Sequence, residues 1–409
     1  MLISKLIQGS ITLSLIATPL LATNGDTLIG VGAKTRSMGG AGIAFSHGSE
    51  STLVNPALIT SIESNQISFG GTIFMPDIST EITPYSGAKK DSDADISVIP
   101  AVALASRVSD SLYIGAGMWG TAGMGTDFRG ENSLMDMETT LQLMQFAIPI
   151  AYKFDNGLSI GISPILQYGA LDIHYKMPPS LGGANIGDGQ NQDFGFGFSV
   201  GAVYSLCNGL NIGAVYKSSI DMEYGKSLST ATAPFSALPS FPNIGDNLEQ
   251  PAEYGIGLGY TFGSHSIAID YKQIAWSDAK GYKEFGWEDQ NVISVGYQYS
   301  SDCWSLRFGY NHSDNPIKSF NGTGADMAGA SLNMFNLLGF PATAKEHITL
   351  GGTYIFSDKF SIDLTGVYGL KSSTSSKISA LSAIGLTGVD EISNDHSELG
   401  VTLQLNYNF

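Results

Sequence analysis

The sequence is poor in basic residues and nearly devoid of cysteine. Lysine and arginine number 20 among 409 residues, against 37 aspartate and glutamate residues, so the formal net charge is −17. Because such an acidic chain repels the phosphates of nucleic acid, we exclude a nucleic-acid partner. The two cysteines, Cys207 and Cys303, are too few for a disulfide scaffold. Both lie in predicted turns, and we expect them to be unpaired, although export would permit a disulfide.

The sequence also lacks the motifs of common enzyme sites. Its six histidines are dispersed without metal-ligand spacing. The G-x-S-x-G match GFSVG at 197–201 lies inside an alternating segment, so it does not form the strand-to-helix elbow of a nucleophile. The glycine-dense stretch 36–56, RSMGGAGIAFSHGSESTLVNP, raises the question of phosphate binding. A P-loop would need lysine where Val31 stands, and a dinucleotide fingerprint would need glycine in place of Thr35. We therefore predict no enzyme activity, no metal and no cofactor.

A short apolar run occurs at the N-terminus. Residues 1–22, MLISKLIQGSITLSLIATPLLA, combine Lys5 with a short apolar stretch, which predicts a secretory signal peptide cleaved after Ala22. No run of eighteen apolar residues occurs elsewhere, so the sequence offers no membrane-spanning helix. Such an exported chain can enter a membrane only as a β-barrel, because lipid offers no partner to unpaired backbone groups.

In many segments, apolar side chains alternate with small or polar ones at every second residue. In residues 399–409, LGVTLQLNYNF, apolar and aromatic side chains alternate with Gly, Thr, Gln and Asn. Segments 194–206, 304–310 and 360–370 repeat the pattern. In a transmembrane barrel the apolar face meets lipid and the small or polar face lines the lumen, while aromatic side chains form girdles at the interfaces.

Turn signals divide the alternating segments into about fourteen strands. Six tight turns are predicted, at Ser109-Asp110, Asp155-Asn156-Gly157, Asn208-Gly209, Gly263-Ser264, Ser301-Asp302 and Ser357-Asp358. Seven longer segments alternate with them, at about 77–94, 123–141, 174–191, 225–247, 279–289, 315–343 and 373–394. An even strand number with short periplasmic turns and long outer loops is typical of outer-membrane barrels. We therefore predict an all-β fold, a transmembrane antiparallel β-barrel over residues 65–409.

Residues 23–64 precede the barrel strands, and their composition indicates where they lie. It is rich in Gly, Ala and Ser and too apolar for a solvated tail. We predict that it plugs the barrel lumen. Within it, Asn55-Pro56 indicates a turn, because Pro56 fixes its φ angle and Asn55 can bond its own backbone.

This segment and several later motifs resemble the FadL/TodX family of outer-membrane transporters for hydrophobic compounds. The similarity is closest at Met38-Gly39-Gly40-Ala41-Gly42 and Asn55-Pro56-Ala57, and it continues through NQDFGFGFSVGAVYSL at 191–206, Ala275-Trp276-Ser277 and the final strand. The resemblance implies a fourteen-stranded barrel closed by an N-terminal hatch, in the outer membrane of a Gram-negative bacterium. The hatch residues that it singles out are Asn24, Gly25, Asp26, Gly39, Gly40, Gly42, Asn55, Pro56 and Ala57.

The resemblance also implies a route and partners. Family members take long-chain fatty acids or aromatic hydrocarbons from outside, and a kink in the third strand lets the ligand leave sideways. The matching region is GTAGMGTDF at 120–128, where Gly120, Gly123 and Gly125 permit bends that leave ladder bonds unmade. From the residues alone, the start of a flexible loop is the simpler interpretation. Other expected partners are outer-membrane lipid, lipopolysaccharide and the barrel-assembly machinery, which would read the terminal Phe409; we expect a monomer.

Apolar side chains in the long loops are candidates for ligand capture, and we expect them to be exposed. They are Phe235, Phe241, Phe335, Leu337, Leu338 and Phe340. Packing of the loops on themselves explains the same residues equally well. Burying a methylene stabilises by roughly 0.8 kcal/mol, so a few such side chains could hold an alkyl chain.

Few bases could pair with the carboxylate of a fatty acid. The candidates are Lys176, Lys272 and Arg307. Lys272 and Arg307 also fit an ion network with Glu253, Asp270 and Asp363 that ties the hatch to the wall. Because bases are scarce in the loops, neutral hydrocarbons stay open as ligands. A general porin, an adhesin, and an outer-membrane lipase or protease are the alternative functions; a porin would need a wet constriction lined by charges.

Overall fold

The computed structural model describes residues 23–409, which form a closed antiparallel barrel of fourteen strands. The predicted signal peptide, residues 1–22, lies outside the described residues. β14 pairs with β1 from Asn408↔Gln66 to Glu391↔Thr83, which closes the barrel and confirms the predicted architecture. The wall strands are β1 (Gln66–Thr83), β2 (Ser97–Arg107), β3 (Leu112–Asp127), β4 (Glu138–Ala147 and Ile150–Lys153), β5 (Leu158–Lys176), β6 (Asn191–Ser205), β7 (Leu210–Lys217), β8 (Glu253–Phe262), β9 (His265–Ile274), β10 (Gln290–Ser300), β11 (Trp304–Ser313), β12 (Glu346–Ser357), β13 (Phe360–Lys377) and β14 (Glu391–Asn408).

Side chains along the wall strands alternate between lipid and lumen, as the period of two predicts. In β14, the exposed outer positions are Leu399, Val401, Leu403, Leu405 and Tyr407, and the buried inner positions include Thr402, Gln404 and Asn406. The inner polar side chains are buried because other parts of the chain fill the lumen.

The six predicted turns and seven predicted loops all connect neighbouring strands. Several strands run further into the loops than expected: β3 reaches Asp127 and β4 begins at Glu138, so nine of the nineteen residues in segment 123–141 are strand. β13 likewise continues to Lys377 through the polar sequence KSSTSSK. These ends were missed because the sequence there has no apolar face, and the hydrophobic alternation that identifies a strand is lost.

Helices are short and lie in the N-terminal segment and the loops. They are α1 (Ala33–Ser37), α2 (Ser227–Thr232) and α3 (Met327–Leu338), with 3-10 turns at Gly48–Leu53, Pro56–Ser61, Asn132–Leu134, Pro179–Leu181, Ala233–Phe235 and Ser379–Ile384. Two-residue strands at Thr23–Asn24, Thr27–Leu28 and Lys90–Asp91 and a three-residue strand at Asn185–Gly187 complete the structure. Over residues 23–409, no helix has the length and apolar character needed to cross a bilayer.

Candidate functional site

The N-terminal segment, residues 23–64, packs against the lumen side of the wall. Helix α1 contacts β11, β12 and β13, and the 3-10 turn Pro56–Ser61 contacts β4, β5 and β6. Gly39 has a positive φ of 67° and donates its N–H to Thr349 Oγ1 at 3.1 Å. A Cβ at Gly39 would lie 2.6 Å from the backbone oxygen of Tyr310, so only glycine allows the segment to approach β11 so closely.

Backbone amides of the same segment are bound by a lumen carboxylate. Gly42 and Ile43 donate their N–H groups to Asp270 Oδ2 at 2.6 and 2.8 Å. Asn55 begins the turn predicted there: its side chain accepts from Ala57 N–H at 3.1 Å and donates to the Ile43 carbonyl at 2.7 Å. The bonds of Asn55 hold two parts of the segment together, and those of Asp270 attach the segment to β9.

The buried carboxylate of Asp363 on β13 pairs with Lys34 of the segment and with Arg307 of β11. Lys34 Nζ lies 3.9 Å from Asp363 Oδ2, and Arg307 lies 3.7 Å from Asp363 Oδ1. Glu50 accepts the N–H groups of Lys34 and Thr35, both at 3.1 Å, and its burial raises its pKa. Arg307 therefore has a structural partner within the chain, as the predicted ion network requires.

The glycine-rich part of β3 changes partners on one side. β2 and β3 pair from Arg107↔Tyr113 to Ala101↔Trp119 and no further within the described chain. Beyond Trp119, β3 meets the N-terminal segment instead: Thr27 pairs with Ala122, and Gly123 N–H donates to the Asp26 carbonyl at 3.0 Å. We call Val98–Pro100 of β2 and Gly120–Thr126 of β3 the β2–β3 edge.

The β2–β3 edge is bounded by β4 and by a loop hydrogen bond, and an apolar cluster lies behind it. On its other side β3 stays paired with β4, with a bulge between Gly120 and Ala122. At the outer end, Asp93 N–H donates to the Asp127 carbonyl at 2.9 Å. An apolar cluster of Leu28, Phe74 and Ile99 lies behind the edge. A Cβ at Gly120 would lie 2.7 Å from Ile99 Cγ2, so glycine lets β2 and β3 remain close where their ladder ends.

The first turn of the N-terminal segment is anchored to the outer loops through Asp26. Asp26 Oδ2 accepts from Tyr282 Oη at 2.5 Å, and Oδ1 accepts from Gln250 Nε2 at 3.2 Å. Burial raises the pKa of Asp26 to about 6, against the opposing effect of these hydrogen bonds. Gly25, with a φ of 67°, packs on the ring of Trp276, where a Cβ would lie 2.6 Å from Cζ2.

The predicted exposure of the loop apolar residues is wrong. Phe335 is 2% exposed, and Leu337, Leu338, Phe340 and Phe235 are also buried; Phe241 is partly buried against them. The Phe335 ring lies 5.4 Å from that of Phe235, centre to centre, and 6.1 Å from that of Phe285. Helix α3 is buried from Ala328 to Leu338, with Asn333 and Asn336 included, so it folds back among the other loops and forms a largely apolar cap over the lumen, called the apolar cap below.

Lys176 lies apart from this cap, in an outer groove of about 440 Å³. Tyr85, Met135, Met177 and Pro178 also line the groove. Lys176 has no ion pair with any carboxylate in residues 23–409. Of the three candidate bases, it alone is available on the outer surface.

A lumen cavity lies between the N-terminal segment and the wall, beside the β2–β3 edge. It encloses about 110 Å³. One end is ionic: Glu253 pairs with Lys272 at 2.8 Å and with Lys217 at 3.4 Å. Lys217 was not singled out from the sequence. Its side chain lies on the same face of β7 as Gly213 and Val215, which indicated a position toward the lumen. Lys272 is therefore already paired.

Relatives of known description match over most of the chain. The model of the family described as Outer membrane protein transport protein (OMPP1/FadL/TodX) matches residues 26–409. The long-chain fatty acid transport protein of Escherichia coli O6:H1 is 26% identical over 370 residues, covering 77% of this chain and 79% of that protein. Outer membrane protein P1 of Haemophilus influenzae is 22% identical over 365 residues, covering 77% and 78%.

Solved structures share the fold. A Pseudomonas aeruginosa FadL homologue has a TM-score of 0.74 at 15% identity, covering 94% of this chain and 100% of that one. The Pseudomonas putida toluene transporter TodX has a TM-score of 0.67 at 20% identity, covering 93% and 99%. At these identities the likeness establishes the fold alone.

Proposed function

Because the chain belongs to the outer membrane protein transport protein family (OMPP1/FadL/TodX), we propose that it carries hydrophobic compounds from outside the cell through the barrel to the β2–β3 edge. Residues 23–64 act as the hatch that closes the lumen, and the ligand leaves sideways into the membrane at this edge. The observation that carries the proposal is the partner change of β3 beyond Trp119.

The entry step involves the apolar cap. Its residues Phe335, Leu338 and Phe235 are packed together, so capture requires the outer loops to separate. An alkyl or aromatic ligand can then replace loop–loop contacts with ligand–loop contacts of the same apolar kind. The cap thus shields the lumen when no ligand is bound.

The lumen favours an uncharged hydrophobic compound over a carboxylate. Within the described lumen, the candidate bases are paired: Arg307 with Asp363, and Lys272 with Glu253. A carboxylate entering the lumen would have to displace these partners and leave them buried and unpaired, which is costly. The acidic chain also offers no general attraction to anions.

The exit step predicts that a bulky residue at the β2–β3 edge blocks uptake. Replacing Gly123 with valine places a side chain where β3 meets the Asp26 backbone. We expect the Gly123→Val variant to assemble as a folded barrel and to lose most uptake of a neutral aromatic compound into cells.

The matched control is Gly366→Val in β13, where a Cβ would meet nothing within 4 Å. This variant should take up the compound at the wild-type rate. If the folded Gly123→Val variant also transports at the wild-type rate, exit at this edge is wrong.

A further inference from the structure

The loop that joins β9 to β10, residues 275–289, carries a compact cluster of three buried aromatic rings. Trp276, Tyr282 and Trp287 are 0%, 3% and 3% exposed. Their ring centres lie 4.6 Å apart for Trp276 and Tyr282, 4.7 Å for Tyr282 and Trp287, and 4.9 Å for the two tryptophans. Because each ring contacts the other two, none of them shifts without displacing its neighbours. We call these three residues the ring cluster.

The ring cluster is bonded to the apolar cap through the side chain of Asn336. This asparagine of helix α3 is 2% exposed, so its amide group cannot turn to water instead. Trp287 Nε1–H donates to Asn336 Oδ1 at 3.1 Å, and Asn336 Nδ2 donates to the Phe285 carbonyl at 2.8 Å. A bridge between Trp287 and Ile317 attaches the same loop to the segment in front of α3. If α3 moves away from the other loops, it must therefore break two buried hydrogen bonds or displace the ring cluster.

The other side of the ring cluster holds the first turn of the N-terminal segment. Tyr282 Oη donates to the carboxyl group of Asp26, and Gly25 lies against the ring of Trp276. The backbone carbonyl of Asp26 accepts from Gly123 N–H at 3.0 Å, on the side of β3 where β2 no longer pairs. The ring cluster thus supports the piece of backbone that covers the β2–β3 edge.

We propose that the ring cluster couples the apolar cap to the β2–β3 edge, so that separation of the cap uncovers the edge. Motion of α3 is passed to Trp287 by Asn336, the ring cluster shifts, and Tyr282 releases Asp26 from its place beside β3. Contiguous packed side chains of this kind carry energetic coupling between distant sites. The inference rests on the proposed transport function and adds to it the control of the exit: the edge stays covered until a ligand has separated the cap.

The test breaks this series of contacts near either end and measures amide hydrogen exchange at both ends. Trp287→Phe keeps an aromatic ring but loses the bond to the cap, and Tyr282→Phe loses only the hydroxyl group that binds the first turn. Exchange is followed in the purified full-length protein over residues 327–338 of the cap and 120–126 of the edge. Because one net hydrogen bond changes an equilibrium about fivefold, we expect each variant to speed exchange about fivefold at its own end. Coupling predicts a rise of at least about twofold at the opposite end as well.

Tyr271→Phe is the matched control. It also removes a tyrosine hydroxyl bond, from Oη to Asn291 Oδ1 at 2.7 Å, but it lies on β9 outside the ring cluster. It should leave exchange at both ends unchanged. Heat modifiability shows whether each variant has a folded barrel. If Trp287→Phe does not fold, Asn336→Leu replaces it, because it removes the bonds to this loop from the side of α3.

Either of two results would overturn the inference. One is faster exchange confined to the end where the bond was removed. The other is an effect that passes in one direction only, since coupling between two equilibria is reciprocal. Uptake of p-xylene by wild-type cells separates the two proposals: its absence would refute transport, whereas uptake together with uncoupled exchange would refute only the coupling.

Discussion

At the scale of single residues, Asp26 connects three parts of the molecule. Its backbone binds Gly123 of β3, and its carboxyl group binds Tyr282 and Gln250 of the outer loops. Burial raises its pKa from 3.8 to about 6. An acid with a raised pKa holds its proton more tightly in the folded protein than in the unfolded chain. Its contribution to stability is therefore complete below about pH 4 and is lost as the pH rises through about 6.

This linkage predicts that the first turn is held more firmly in mild acid. We expect amide hydrogen exchange at residues 24–30, corrected for intrinsic rates, to be slower at pH 5 than at pH 7.5. The Asp26→Asn variant, which has no titrating group there, should lose the difference. Asp95→Asn, at an exposed loop position, serves as the control and should retain it. Persistence of the difference in Asp26→Asn would refute the assignment to this carboxyl group.

Local residue chemistry was predictable where it depends on neighbours in sequence. The Asn55-Pro56-Ala57 turn follows from the φ of proline and the reach of asparagine, and the structure has Asn55 capping Ala57. Packing of the loops on themselves was one of two open alternatives, but the partners of Phe335 were not predictable, because Phe235 and Phe285 are far away in sequence.

At the scale of elements, the strands were predictable and helix α3 was not. Alternation identifies a strand that has lipid on one face, as β14 shows. α3 is buried on nearly all sides, so its sequence MAGASLNMFNLL shows no amphipathic period and resembles an apolar loop. Its start at Asp326, whose side chain accepts from Gly329 N–H at 3.0 Å, was the one available signal.

The apolar cap predicts a difference between two kinds of loop variant. Large-to-small changes in a packed cluster each cost roughly 2–5 kcal/mol, so replacing Phe335 and Leu338 with serine should loosen the cap while the barrel stays folded. We expect this double variant to lose uptake of both a neutral aromatic and a long-chain fatty acid. Lys176→Gln should have a small effect on either compound.

The two compounds are compared in a direct uptake assay, with barrel folding checked by heat modifiability. Uptake of the neutral aromatic should depend only weakly on ionic strength, because screening over roughly 8 Å at physiological salt affects charges and not apolar contacts. A large loss for Lys176→Gln seen only with the fatty acid would contradict capture by the cap. It would assign a carboxylate site to the outer groove.

At the scale of the whole molecule, the barrel was predictable because its signal repeats around fourteen strands, so errors at single boundaries leave the topology intact. The candidate site was only partly predictable, because it arises where the N-terminal segment, β3 and the loops meet. The glycines of β3 suggested a break in pairing, but which neighbour β3 loses, and that Thr27 replaces it, depends on tertiary contacts.

The central claim is that ligand leaves through the β2–β3 edge, and a reversible lock on this edge tests it most directly. A Cβ at Gly120 would lie 3.8 Å from Ile99 Cβ, which matches the spacing in a disulfide of about 3.8 Å. Ile99→Cys with Gly120→Cys, in a background with Cys207 and Cys303 replaced by serine, should join β2 to β3 where their pairing ends.

A control pair of cysteines at positions 348 and 368, in place of Ile348 and Tyr368, joins β12 to β13, which are already paired. Uptake of a neutral aromatic compound is then measured before and after reduction. The account predicts that oxidation blocks uptake only in the Ile99–Gly120 variant and that reduction restores it; wild-type uptake by the fully oxidised variant would contradict it.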